Sequence, residues 1–100
     1  MKNFRTFQLA VEFYKCTRTL PLSGTLKEQL SRAAPSIALN LAEGQGKRTS
    51  KDQARFFQIA FGSMRECQAI FILADLENTQ AWKLLDNLAA HLYKLIKNRE

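Results

Sequence analysis

Residues 32–66 read RAAPSIALNLAEGQGKRTSKDQARFFQIAFGSMRE. Two apolar-periodic segments meet here at a glycine-flanked basic turn. Whether the first survives its proline decides how many helices the chain has. Pro35 removes a backbone donor and crowds the preceding turn, a cost of roughly 3 kcal/mol inside a helix. Leu30, Ala34, Ile37 and Leu41 nevertheless stay on one stripe across it. The spacing therefore predicts one continuous, kinked helix, capped by Ser23 or Thr25 and running to Gly44. After the turn, Ser50-Lys51-Asp52-Gln53 has the form of a capping box. Phe56, Phe57, Ala60, Met64, Cys67, Phe71 and Ala74 carry a third helix to about Asn78.

The same periodicity extends outward. Phe4, Phe7, Val11 and Tyr14 mark a first helix from about residue 3 to 19, which Pro21 and Gly24 close. Thr79 is the expected cap of a fourth, with Trp82, Leu85, Leu88, Ala89, Leu92, Leu95 and Ile96 along one side. No β-branched alternating run competes, and the two halves share no internal repeat. Short connections make sequential helices antiparallel neighbours, so the expected fold is all-α, an up-down-up-down four-helix bundle in one domain over residues 1–100.

Composition narrows the function. The 100 residues are 46% hydrophobic, with four Gly and two Pro, as in an ordered chain. Fifteen Lys and Arg against nine acids give +6, which suits contact with a polyanion. Cys16 and Cys67 have no metal or redox spacing; two free thiols in a reducing cytoplasm are expected, with a single disulfide the alternative. No apolar run is long enough to span a bilayer, and the expected location is cytoplasmic.

Beside the apolar stripe of the second helix lies a polar one. Arg32, Ser36, Asn40, Glu43 and Lys47 are spaced 4, 4, 3 and 4, hence on one face. That face is either solvated or a structural seam against the third helix or another subunit. In an antiparallel hairpin Arg32 would meet Ser63 and Glu66, as an Arg32–Glu66 ion pair, and Asn40 would lie near Arg55. Ser63 beside Gly62 reads as a close-approach position.

Catalytic chemistry is hard to assemble from these residues. His91 is the sole histidine, and none of Glu12, Glu28, Glu43, Glu66 or Glu77 has a His three residues on, as a di-iron bundle would need. No zinc spacing or nucleophile motif is present, so no enzyme, metal or cofactor is expected. GQGKRTS fails as a phosphate loop: Leu41 takes the first glycine position and Arg48 follows Lys47 where Ser or Thr is required. Lys47, Arg48, Lys51 and Arg55 still surround the start of the third helix, whose free N–H groups favour anions. The alternative is that Lys47 and Arg48 simply complement the end of the second helix. Arg5, Lys15, Arg18 and Lys27 form a second basic set.

Arg32, Ala33, Ala34, Ser36, Ile37, Asn40, Ala42, Glu43, Gly44, Ser50, Phe56, Ile59, Ala60, Gly62, Ser63 and Glu66 fall in order on a pattern that resembles the signature of the 23S rRNA intervening-sequence proteins. Tyr14 and the Leu20-Pro21 turn fit as well. Departures are local: relatives often have proline at the place of Ala38, an aliphatic residue at Pro35, and a second arginine at Ser31. The resemblance implies a four-helix bundle assembled as a homopentameric ring. It also implies kinship with accessory variability determinant proteins, which bind nucleic acid and a reverse transcriptase through a basic surface. Two functions follow as expectations. One is a non-enzymatic, RNA-directed nucleic-acid-binding protein using Lys47, Arg48, Lys51, Arg55, Arg18 and Lys27. The other is an assembly module that docks a protein partner.

Overall fold

The computed structural model describes residues 4–99. Four helices and no strand are found among them: α1 (Arg5–Thr17), α2 (Gly24–Gln45), α3 (Ser50–Leu73) and α4 (Gln80–Lys97). Asn3, at the expected start of α1, lies outside the described residues, and α1 ends two residues earlier than its periodicity suggests. α2 runs through Pro35 without a break. The bond that proline forfeits would have gone to the carbonyl of Ser31, an exposed residue. Water can take the donor's place there, while the apolar stripe on either side stays buried.

Two expected boundaries move. The cap of α3 is Thr49 rather than Ser50, its hydroxyl accepting from Asp52 N–H at 3.1 Å. Gln53 is thereby released from a capping box. α3 also stops at Leu73, short of Asn78. Asp75 adopts φ 56°, Leu76 N–H bonds back to Phe71 C=O at 2.9 Å, and Asp75 N–H bonds to Ile72 C=O at 3.2 Å. This is a Schellman closure made without glycine. Thr79 caps α4 as expected, accepting from Trp82 N–H at 3.2 Å and donating to Leu76 C=O at 2.7 Å.

Each helix touches its neighbours around a square, α1 to α2, α2 to α3, α3 to α4 and α4 to α1, with α2 and α3 most closely joined. The core between them holds Leu9 and Phe13, Ile37 and Leu41, Phe57, Met64 and Phe71, and Leu85, Leu88 and Leu92, all at most 1% exposed. Phe13, Phe71 and Trp82 form an aromatic file, with centroids 5.8 and 6.0 Å apart. Phe4 meets Phe57 at 6.1 Å.

α2 and α3 approach closely at Ser63, whose Oγ is 2.9 Å from Ser36 Oγ, and at Gly44, but not at Gly62 itself. Gly44 is buried within the helix and faces Phe56 and Phe57. Gly62 is exposed, and a Cβ there would meet nothing within 4 Å.

Candidate nucleic-acid interface

The basic turn between α2 and α3 is organised around an aromatic ring. Lys47 Nζ lies 5.1 Å and the Arg55 guanidinium carbon 4.9 Å from the Phe56 centroid, within cation–π range. Lys47 also pairs with Glu43 Oε2 at 3.3 Å. Arg48 and Lys51 are exposed, and among the described residues neither pairs with an acid. Gln53 braces the turn: its Nε2 donates to Lys47 C=O at 3.2 Å.

A third segment joins this turn. Arg99 Nε donates to Gln53 Oε1 at 2.9 Å, its Nη1 donates to Leu95 C=O at 2.9 Å, and its guanidinium carbon stands 4.8 Å from the Phe57 centroid. The end of α4 is therefore pinned beside the start of α3. Lys94, Lys97 and Arg99 are added to Lys47, Arg48, Lys51 and Arg55 at one end of the molecule. Within residues 47–55 and 94–99 the sole acid is Asp52. The basic run at 94–99 was visible in the sequence, but only the packing of α4 on α3 brings it to the turn.

Arg18 and Lys27 are not part of that cluster. Lys27 and Lys47 sit near opposite ends of α2, about 30 Å apart at ~1.5 Å rise per residue. Arg18 and Lys27 instead line a recess of about 250 Å³ with Tyr14, Leu20, Leu30 and Ser31. Arg5 is loosely held by Glu12 at 3.9 Å. The opposite corner, residues 73–80, carries Asp75 and Glu77 and no cation. Cations and acids are thus mixed at the far end, whereas cations dominate at the basic turn.

On the outer face of α2 and α3, Ser36 Oγ and Ser63 Oγ are 2.9 Å apart. Asn40 Nδ2 donates to Ser36 C=O at 2.9 Å and to Ser36 Oγ at 3.1 Å. With its oxygen already accepting, the Ser36 hydroxyl is free to donate to Ser63. The Arg32–Glu66 ion pair does not form. Both side chains are exposed and border one recess with Ala33, Ser36 and Ser63, but no charged atoms come within 4.0 Å. Water screens such a pair, and fixing two long side chains costs more entropy than the contact returns. Asn40 likewise turns to Ser36 and leaves Arg55 on Phe56. Glu43 ends the row on Lys47.

The same face exposes Leu39 (68%) and Ile59 (47%) beside the open Gly62. Cys16 and Cys67 are free thiols. Burial, helped by the neighbouring Glu66 charge, pushes the Cys67 pKa up to about 12, which leaves it a neutral core residue. Among the described residues no three His, Cys, Asp or Glu side chains gather as metal ligands. No helix there is long and apolar enough to cross a membrane.

The family model for the 23S rRNA-intervening sequence protein matches residues 4–98. No curated protein and no solved structure gives a significant match.

Proposed function

The chain belongs to the 23S rRNA-intervening sequence protein family, and from that premise we propose that it is a non-enzymatic, oligomeric nucleic-acid-binding accessory protein of the cytoplasm, RNA being its foremost ligand. The observation that carries this reading is the concentration of Lys47, Arg48, Lys51, Arg55, Lys94 and Lys97 at one end, with Asp52 as the sole acid in those segments. Such a surface contacts phosphates by charge and shape, and each contact releases counterions. The recess at Arg18 and Lys27 is a secondary anion site at the far end.

Residue pairings support an up-down-up-down bundle as the scaffold. Phe4 with Phe57 and Phe13 with Phe71 run in parallel order, whereas Gly44 with Phe57 and Ser36 with Ser63 run in opposite order. The bundle forms a single domain, and copies of it associate through the Leu39–Ile59 face. A ring of five is the assembly the family resemblance implies.

The exposed Leu39, Ile59 and Gly62 also favour a second reading, in which the protein is chiefly an assembly module. There the basic end docks a protein partner such as a reverse transcriptase.

Filter binding of labelled RNA separates the two. The first reading expects affinity at about 50 mM salt that falls on the order of 10³-fold by about 200 mM, for roughly six phosphate contacts. No binding at the lower salt overturns it, and recovery of one protein partner after nuclease treatment establishes the second.

A further inference from the structure

The groove between α3 and α4 adjoins the cationic end and differs from it in chemistry. Gln58 and Phe61 of α3 with Tyr93, Ile96 and Lys97 of α4 line a recess of about 190 Å³. Tyr93 is 56% exposed, the only aromatic ring so open among the described residues. Lys97 Nζ stands 5.9 Å from its centroid. Phe61 is half-buried and packs against the core, giving the recess an apolar floor. Gln58 is exposed at the rim and brings an amide that both donates and accepts.

Helical spacing ties the recess to the basic turn. Lys51, Arg55 and Gln58 are separated by four and three residues, so they follow one stripe of α3 toward Phe61. On α4, Tyr93 and Lys97 are four apart and Lys97 lies in the last turn. Among the described residues no acid lines the recess. Toward the start of α4, Asp86 is the next acid on the Tyr93 stripe, two turns or about 10 Å away, and Glu100 lies outside the described residues. The spacing within α4 sets Lys97 beside Tyr93, and the packing of α4 on α3 adds Gln58 and Phe61 to them.

We propose that this recess takes an unpaired base of a single-stranded nucleic acid, stacked on Tyr93, while Lys97 and the adjoining cations hold its phosphates. An aromatic face beside a positive track is the arrangement by which proteins bind single strands with little regard to sequence. A duplex meets only half of it. Its phosphates suit the cations, but its base faces are already covered by their neighbours, so Tyr93 gains nothing. The edge of Gln58 can hydrogen-bond any base presented there, which sets tolerance rather than a code. This inference deepens the nucleic-acid reading above and rests on it.

Fluorescence anisotropy with labelled 12-mers tests it. The strands are oligo-U, oligo-dT, an abasic strand of equal charge and a duplex, at about 50 mM salt. Wild-type protein is expected to favour oligo-U and oligo-dT over the abasic strand by about 10-fold. Tyr93→Ala should erase that preference and Tyr93→Phe should keep it. Paired Lys47→Gln and Arg48→Gln should weaken every strand alike. Because Tyr93 is largely exposed, its replacement leaves the core untouched, and retained helical circular dichroism verifies this. Equal wild-type affinity for base-bearing and abasic strands, or a preference that survives Tyr93→Ala, overturns the stacking site while leaving the basic surface standing. Absence of binding to all four ligands overturns the nucleic-acid reading itself.

Discussion

Gly44 backs directly onto Phe57: a Cβ at Gly44 would stand 2.6 Å from Phe57 Cε1 and 2.9 Å from Cδ1. Phe57 is fully buried, so its ring has nowhere to retreat. Gly44→Ala should therefore destabilise the protein by about 1–3 kcal/mol through overpacking. That outcome runs against alanine's intrinsic helix preference of ~1 kcal/mol. Urea denaturation followed by circular dichroism checks it, and a raised midpoint would refute the close approach.

Gly62→Ala should do the reverse within one chain. The position is helical, exposed and open, so the added methyl should stabilise the isolated fold by about 0.5–1 kcal/mol. If copies pack through the face that bears Leu39 and Ile59, the same methyl should shift the native particle toward smaller species. Sedimentation of wild type and variant over a dilution series measures both. An unchanged particle size would place the contact between copies elsewhere.

Much of the architecture could be read from spacing. The stripe through Leu30, Ala34, Ile37 and Leu41 foretold a helix that continues through Pro35, and Thr79 stood where a cap was needed. Other features escaped because they depend on which of two similar groups wins. Thr49 and Ser50 are both capable caps, and only geometry selects the hydroxyl that reaches Asp52 N–H. Gly44 and Gly62 look alike in sequence, yet one meets a phenyl ring and the other open space. Of the basic residues, Lys47, Arg48, Lys51 and Arg55 were legible as neighbours because one turn contains them. Lys94, Lys97 and Arg99 join through a tertiary contact spanning 46 positions, from Gln53 to Arg99.

Asp75 closes α3 with φ 56°, a conformation that favours glycine. Asp75→Gly should relieve strain and stabilise by on the order of 1 kcal/mol, with Asp75→Ala a little worse than wild type. Thermal unfolding of the three proteins checks the order Gly, Asp, Ala.

Cys67 predicts a one-sided pH dependence. Its thiol titrates near 9.0 when unfolded and about 12 when folded, so the unfolded chain loses that proton first as pH rises. Its contribution is fully present below pH 9 and is lost progressively between about 9 and 12. Cys67→Ala should flatten that part of the stability–pH curve while lowering its plateau through the lost sulfur volume. In the folded wild type, Cys67 should resist a thiol-specific reagent at neutral pH.

The excess of cations at the Gln53–Arg99 end over the mixed charges of the far end, where Asp75 and Glu77 accompany Arg18 and Lys27, gives the molecule a charge asymmetry along its length. In the field of a polyanion such a body turns before it touches, presenting the pole that carries Lys51 and Lys97. Orientation during approach then favours productive collisions, and added salt should slow association more than it hastens release. The Arg99 hydrogen bond to Gln53, which holds the two basic segments together, is in that sense a device for aiming.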